Sequence, residues 1–239
     1  DTFGTGANSF TMDFVTIGNP GNASDPGGAP GPGGVPIPAG SVSYTYRIGT
    51  YEVNADMMSK ANTLGGLNIP FHDVGANNPA SLITWNMAAR FVNWMNTSSG
   101  YSVAYKFNTQ PGDVNYNPNE YSSFWGVGDS GYNPTNRDRN SNAHYFLPSS
   151  DEWYKAAYYN PATSSYFKYA TGSDLLPTPV AGGTAAGTAV WYHGFISAEV
   201  NNAGGLSPYG TMAQTGNVTE WIETYVFSNT QYGYRSIRG

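Results

Sequence analysis

The sequence predicts a single domain of mixed α and β structure with few helices, short strands and long loops. Three observations support this prediction: 30 glycines and 16 prolines among 239 residues, an aromatic content of 15%, and helical periodicity in short stretches only. Glycine and proline at this frequency favour turns and exclude an all-α fold. Because 39% of the residues are hydrophobic, the chain can bury a sizeable core, and residues 1–239 are expected to fold as one domain.

Strands are predicted where apolar and polar residues alternate. This alternation is clear at residues 10–17 and 42–53 and weaker between Trp221 and Arg238. Between the first two strands, residues 18–40 are dense in proline and glycine, which predicts a long hairpin excursion or an arm, with disorder as the alternative.

Two helices are predicted in the first half of the chain. Asn54 is a suitable N-cap for a short helix over residues 55–62. A second helix over residues 84–97 follows from apolar residues spaced three and four apart. Its opposite face is marked by polar residues, which are Asn86, Arg90, Asn93 and Thr97.

A third helix is predicted over about residues 150–159, because Ser149 and Glu152 have the spacing of a capping box. Within this helix Asp151 and Lys155 lie four residues apart and are expected to form a surface ion pair. The preceding residues 108–143 form a long polar loop that is expected to be functional, disordered or both.

Composition excludes several classes of function. The net charge is −6, and basic residues cluster only at Arg137 and Arg139, which argues against nucleic acid as a partner. No cysteine is present, so this segment has no disulfide, thiolate metal site or cysteine nucleophile. No apolar run is long enough for a membrane span. The low charge and the start at Asp1 without an initiator methionine predict a secreted, extracellular or cell-surface protein.

Five segments follow one another in a characteristic order. They are Tyr46–Val53, Ile83–Trp94, Leu147–Ala157, Tyr209–Trp221 and Tyr234–Gly239, and the most specific motifs are Leu-Pro-Ser-Ser-Asp-Glu-Trp and Gly-Asn-Val-Thr-Glu-Trp. Together they resemble the sulfatase-modifying-factor, or formylglycine-generating-enzyme-like, family, in particular its exported bacterial branch. The resemblance implies a C-type-lectin-like fold with two main helices, a twisted antiparallel sheet and long irregular loops. It also implies that the C-terminal end of the family domain follows residue 239.

The resemblance implies a calcium site at the last of these motifs. At the positions that match the family's calcium ligands, this sequence offers the backbone carbonyls of Gly216 and Val218 and the side chain of Glu220. These are hard oxygens of the kind that Ca²⁺ prefers. The family's first ligand position is Ala213 here, which removes one oxygen, although Gln214 is adjacent. The alternative is that the motif only determines a turn.

The family that this chain resembles has two catalytic branches, and this chain lacks the metal ligands of both. Formation of formylglycine requires two cysteine thiolates for copper, and this chain has none. The nonheme-iron branch uses three histidines, two of them on one helix, whereas His72, His144 and His193 are scattered. We therefore expect neither copper nor iron and assign no catalytic residue.

Aromatic residues in the long polar loop are the predicted binding surface; they are Tyr116, Tyr121, Phe124, Trp125 and Tyr132. The alternative is that these rings are buried and anchor the loop. We expect a secreted, non-catalytic binding or assembly module whose partner is a second copy, another surface protein or a glycan. The competing hypothesis is a metal-dependent oxidoreductase, of the formylglycine-generating or nonheme-iron type, whose metal ligands follow residue 239.

Overall fold

The computed structural model describes residues 1–30, 35–72, 74–191, 197–225 and 235–239. Contacts divide the chain into two compact units, each built from segments that are distant in sequence. The first unit comprises Asp1–Thr11, Val53–Ala76 and Ala80–Leu147, and the second comprises Met12–Glu52, Asn77–Pro79 and Pro148–Gly239.

In the first unit, helix α1 spans Ala55–Gly65 and helix α2 spans Trp85–Ser98. The side chain of Asn54 accepts a hydrogen bond from the amide of Met57 at 2.9 Å, which confirms it as an N-cap. Helix α1 runs past the predicted end at residue 62, because Gly66 has the left-handed conformation (φ 59°) that terminates helices. The remaining regular elements described in this unit are β1 (Thr2–Phe3), β2 (Phe10–Thr11) and a short 3-10 helix (Gly6–Asn8).

Helix α2 is buried along most of its length, and of the four polar residues on its second face only Thr97 is exposed. Every residue from Trp85 to Asn96 is buried, including Arg90 and Asn93. The side-chain oxygen of Asn93 accepts from the backbone N–H of Ala104 at 2.9 Å, and Arg90 donates to the carbonyl of Thr109 at 3.0 Å. The segment that follows the helix therefore covers its polar face, since buried backbone groups need hydrogen-bond partners.

No helix in the described part of the chain is long and apolar enough to span a bilayer.

Residues 108–143 form a loop that is held in place by side-chain hydrogen bonds. Its main acceptor is the carboxylate of Glu120, which receives the backbone N–H groups of Asn108 at 3.0 Å and Thr109 at 3.1 Å and pairs with Arg90 at 2.8 Å. Burial alone would raise the pKa of Glu120, but these hydrogen bonds and the charge of Arg90 outweigh it and lower the pKa. The ionised carboxylate thus organises a segment that has no helix and no paired strands.

In the second unit, helix α3 spans Ser150–Tyr158 and begins with the predicted capping box. The hydroxyl of Ser149 accepts from the amide of Glu152 at 3.2 Å, and the carboxylate of Glu152 accepts from the amide of Ser149 at 2.6 Å. The strands described in this unit are β3 (Phe14–Ile17), β4 (Asp25–Pro30), β5 (Pro36–Ala39), β6 (Tyr46–Gly49), β7 (Tyr159–Asn160), β8 (Ser165–Tyr166), β9 (Thr178–Pro179), β10 (Thr188–Ala189), β11 (Glu220–Tyr225) and β12 (Arg235–Arg238).

Within the described residues the strands pair two by two. Pairs β3–β6, β4–β5, β7–β8 and β11–β12 are antiparallel, as is β1–β2 in the first unit, whereas β9–β10 is parallel. The predicted mixture of helices and mainly antiparallel strands is confirmed. The sheet is divided into short ladders because residues that are unfavourable in strands, chiefly glycine, proline and asparagine, interrupt the chain at short intervals.

The proline- and glycine-rich segment 18–40 contains the antiparallel hairpin of β4 and β5, which is one of the two predicted alternatives. Residues 31–34 between the two strands lie outside the described residues. At the root of the hairpin, the N–H of Gly40 donates to the carboxylate of Asp151 at 2.8 Å, and the hydroxyl of Tyr154 donates to Asp25 at 2.8 Å. Helix α3 therefore fixes the base of the hairpin.

The predicted surface ion pair between Asp151 and Lys155 is wrong. Lys155 is completely buried, and its ammonium donates to the carbonyl of Asn19 at 2.8 Å, whereas Asp151 accepts from Gly40. Burial lowers the pKa of Lys155, because desolvation penalises the charged form.

Candidate functional site

The acidic turn, residues 213–220, contains the predicted calcium ligands. Its backbone reverses sharply, because Ala213, Gly216 and Asn217 have positive φ angles of 72°, 108° and 62°. Position 216 requires glycine, since a Cβ atom there would collide with the carbonyl oxygen of Val190. The Gly-Asn pair therefore determines the turn, as the sequence motif indicates.

Asn217 and Glu52 hold the acidic turn in place. The backbone N–H of Asn217 donates to the carbonyl of Val190 at 2.7 Å, and its side-chain oxygen accepts from the N–H of Ala198 at 2.8 Å. Its side-chain amide donates to one carboxyl oxygen of Glu52 at 2.6 Å, while the N–H of Val218 donates to the other at 3.3 Å. Buried Glu52 thus satisfies two donors of the turn.

Glu220 adds a second carboxyl group. One of its oxygens accepts a hydrogen bond from the indole N–H of Trp153 on α3. Burial raises the pKa of Glu220 to about 7, against the opposing effect of that hydrogen bond. The pKa of Glu52 also lies well above its usual range, first because of burial and second because of the nearby charge of Glu220. The two carboxyl groups therefore repel each other when both are ionised.

The oxygens at the predicted calcium ligands are available to a cation. The carbonyls of Gly216 and Val218, and the second carboxyl oxygen of Glu220, accept no hydrogen bond from any described residue. A divalent cation would also relieve the repulsion between Glu52 and Glu220. Within the described part of the chain no three His, Asp or Glu side chains could hold a metal ion, so a calcium site here needs the two carbonyls.

The ligand position lost at Ala213 is not restored by its neighbour. Gln214 is buried; its side-chain oxygen accepts from the hydroxyl of Thr211, and its amide donates to the carbonyl of Trp153 at 3.4 Å. Because Ca²⁺ takes six to eight oxygens, a bound ion would keep several waters. The residues fit a calcium site with few protein ligands, and the site stays a prediction.

The aromatic loop, residues 113–132, exposes only some of the five predicted rings. Tyr121 is 75% and Phe124 44% exposed, and Tyr132 is half-buried. The guanidinium of Arg137 lies 5.2 Å from the ring centre of Phe124, in cation–π contact. These three rings are at least partly accessible to solvent.

Tyr116 and Trp125 anchor the aromatic loop, which was the alternative reading of these rings. Trp125 is 9% exposed and its indole N–H donates to the carbonyl of Ala104 at 3.0 Å. The hydroxyl of Tyr116 donates to the carbonyl of Leu67 at 2.8 Å, and its ring lies 4.8 Å from the guanidinium of Arg90. Assigning Trp125 to an exposed surface is therefore wrong, because its ring and its N–H are both used inside the unit.

The histidines show no shared site within the described residues. The backbone N–H of His72 donates to the carbonyl of Ser81 at 2.9 Å, and the ring of His144 stacks on Tyr101 with 4.6 Å between ring centres. His193 lies outside the described residues.

Glu52 was not among the residues predicted for the acidic turn. Glu52 belongs to the family-like segment Tyr46–Val53, but its partner Asn217 lies far along the chain. The available signal was that an acidic residue stands between apolar neighbours in a segment with strand periodicity. A buried carboxyl there needs donors from elsewhere.

Comparisons with known proteins agree with this architecture. A family model described as the sulfatase-modifying factor enzyme 1-like domain matches residues 33–239. The chain is similar to the crystal structure of CarF, with a TM-score of 0.62 and 16% identity over 94% of this chain and 85% of that one. It is also similar to Treponema denticola variable protein 1, with a TM-score of 0.56 and 20% identity over 93% of this chain and 75% of that one. No curated protein matches the sequence. The C-type-lectin-like fold class predicted from the motifs is confirmed.

Proposed function

The chain belongs to the sulfatase-modifying factor enzyme 1-like family, and from that premise we propose that it is a secreted, non-catalytic assembly module that binds a second copy of itself. The observation that carries this proposal is the exposure of apolar side chains on the β4–β5 hairpin and on the aromatic loop. Clustered apolar area in contact with water favours association. Charged residues make up only 11% of the chain, so copies repel one another weakly.

The hairpin supports contact through side chains rather than strand addition. Val35 is 66% and Ile37 49% exposed, and the base of the hairpin is fixed on α3. Pro36 and Pro38 alternate with them along the same strand and have no N–H to donate to a neighbouring strand. A partner therefore meets apolar side chains on a preformed ribbon.

The aromatic loop supports the same role. Val114 is fully exposed and Val127 is 86% exposed, near exposed Tyr121 and Phe124 in sequence. Arg137 beside Phe124 adds a positive charge, which suits an acidic partner.

Native mass measured by light scattering over a range of protein concentrations tests self-association. We expect the wild type to form oligomers and the double variant Val35→Ser with Ile37→Ser to shift toward monomer at an unchanged melting temperature. Leu175→Ser is the matched control, because Leu175 is 79% exposed but lies outside both surfaces. A wild-type protein that is monomeric at every concentration would contradict the proposal.

A calcium ion at the acidic turn is part of this proposal. It rests on the carbonyls of Gly216 and Val218 and on the second carboxyl oxygen of Glu220, which accept no hydrogen bond from any described residue. Only the folded chain presents these oxygens together, so calcium would stabilise the fold by mass action. Chelation should lower the melting temperature of the wild type.

A metal-dependent oxidoreductase is the second candidate, favoured by membership of a family named after an enzyme. It would require metal ligands that follow residue 239 in a longer protein. Measuring copper and iron in the protein purified from its native source distinguishes the two candidate functions. A stoichiometric amount of either metal favours the oxidoreductase. Self-association without either metal favours the assembly module.

A further inference from the structure

We propose that Leu82 anchors the contact between two copies of this chain, and that Leu82 and the aromatic loop of one copy pack against the same residues of the other. The proposal rests on the self-association proposed above and names the residue that carries it in the first unit. Two features single out Leu82. Its side chain is 83% exposed, and its backbone lies in the left-handed region with a φ angle of 58°.

The left-handed backbone is unfavourable for a leucine, because its Cβ atom crowds the following carbonyl oxygen. The other described residues with a positive φ angle, apart from glycines, are small or polar; they are Asn19, Asn68, Ser164, Ala213 and Asn217. Since the side chain of Leu82 is exposed, packing within its own copy does not compensate for this strain. Strained backbone of this kind is typical of residues that bind a partner.

Ordered neighbours hold Leu82 in this conformation. On one side, the backbone N–H of His72 donates to the carbonyl of Ser81 at 2.9 Å. On the other side, Thr84 is the N-cap of α2, and its hydroxyl accepts from the N–H of Met87 at 3.3 Å. The leucine side chain is therefore presented from a fixed backbone, which lowers the entropy lost when a partner covers it.

Leu82 lies close to the aromatic loop. The hydroxyl of Thr84 donates to the side-chain oxygen of Asn119 at 2.7 Å. Leu82 precedes Thr84 by two residues, and Tyr121, which is 75% exposed, follows Asn119 by two residues. Because two residues span at most about 7 Å, both apolar side chains fit within one protein interface, which covers about 800 Å² on each partner.

The charges around Leu82 favour a second copy as the partner. A two-fold symmetric contact brings a surface patch against its own counterpart, so a patch with a net charge would repel itself. In residues 80–84 and 117–122 the only charged residue is Glu120, and Arg90 neutralises it at a distance of 2.8 Å. These two segments can therefore meet the same segments of another copy without charge repulsion.

Leu82→Asn separates association from folding, because asparagine tolerates the left-handed conformation and removes the apolar side chain. The dissociation constant, measured by sedimentation velocity, should rise at least about tenfold, since two leucines leave each contact. The melting temperature, measured at a concentration at which the wild type is monomeric, should stay unchanged or rise. Leu175→Asn is the matched control: Leu175 is 79% exposed, and neither quantity should change.

Cross-linking tests which surfaces meet. The chain has no cysteine, so a single introduced cysteine reports on its own position. Ser123→Cys places a thiol at an exposed position beside Phe124, and a short bismaleimide should link two such copies into a covalent dimer. Adding Leu82→Asn should abolish this cross-link. Ser59→Cys, at an exposed position of α1, is the control and should not cross-link.

Weaker association of Leu82→Asn together with a Leu82-dependent cross-link at position 123 supports the proposal. It is overturned, while the assembly role stands, if Leu82→Asn associates like the wild type and the double variant Val35→Ser with Ile37→Ser does not. A cross-link that persists in Leu82→Asn, or one that is equally strong at position 59, also overturns it. A lower melting temperature of Leu82→Asn would contradict the argument from strain, and a wild type that is monomeric at every concentration would overturn both proposals.

Discussion

Replacing Glu220 by glutamine should remove most of the pH dependence of stability between pH 4.5 and pH 7. Burial raises the pKa of this carboxyl from the ordinary value of 4.5 to about 7 in the folded chain. Between these two values the folded state binds the proton more tightly than the unfolded state. The protonated carboxyl of Glu220 therefore contributes fully to the stability of the folded state below pH 4.5, and this contribution is lost as the pH rises through 7.

The size of the effect follows from the two pKa values. Their difference of about 2.5, at 1.36 kcal/mol for each pKa unit, corresponds to about 3 kcal/mol of unfolding free energy. Burial and the repulsion from Glu220 raise the pKa of Glu52 as well, so the pair contributes in the same direction. Glutamine keeps the acceptor for the Trp153 indole and carries no charge at any pH.

Urea unfolding at pH 5 and pH 8, in the presence of a chelator, measures this difference. The variant should be more stable than the wild type at pH 8, and this difference in unfolding free energy should shrink by about 2.5 kcal/mol at pH 5, where the unfolded carboxyl is already mostly ionised. Adding calcium at pH 8 should stabilise the wild type and leave the variant unaffected. Glu199→Gln, an exposed carboxyl, serves as the control. The reasoning would be refuted if the difference in unfolding free energy between variant and wild type stayed constant within about 1 kcal/mol between the two pH values.

Two further substitutions test the interior of each unit. Val92→Asp, at a buried position of α2, should cost several kcal/mol and unfold the first unit in circular dichroism, whereas Val114→Asp, at a fully exposed position, should leave the melting temperature unchanged. Lys155→Met should raise the melting temperature at pH 7, because it removes a buried ammonium whose pKa is lowered by desolvation. That gain should shrink toward pH 10, where the wild-type lysine loses its charge; a gain that grows with pH would contradict the assignment.

Local signals in the sequence were sufficient for the helices. Asn54 and the Ser149–Glu152 pair act within a few residues of the helix starts that they cap, so their effect does not depend on the rest of the fold. Lys155 shows the opposite case. Its spacing from Asp151 indicates a surface pair, but the carbonyl that it contacts belongs to Asn19, which no local pattern connects to α3.

At the candidate sites, too, the sequence predicted local features but not contacts between distant segments. The Gly-Asn turn was expected because its strained backbone restricts the residue types that can form it. Neither the contact of Glu52 with the acidic turn nor the burial of Arg90 against Thr109 and Glu120 could be predicted, since both depend on segments that meet only in three dimensions. For the aromatic loop, composition could not separate exposed Tyr121 from buried Trp125.

Asparagine side chains on α2 explain how so irregular a chain can be well packed. The carboxamide of Asn96 accepts from the N–H groups of His144 and Tyr145 at 2.8 and 3.0 Å and donates to the carbonyl of Tyr145 at 2.9 Å. Asn93, one turn earlier, does the same for Ala104 and Tyr105. Each side-chain amide thus hydrogen-bonds a loop in the way that a neighbouring strand would, because it offers one acceptor and one donor to consecutive backbone groups. The polar side of the helix is buried for this reason, and the backbone at residues 104–105 and 144–145 is held without strand pairing.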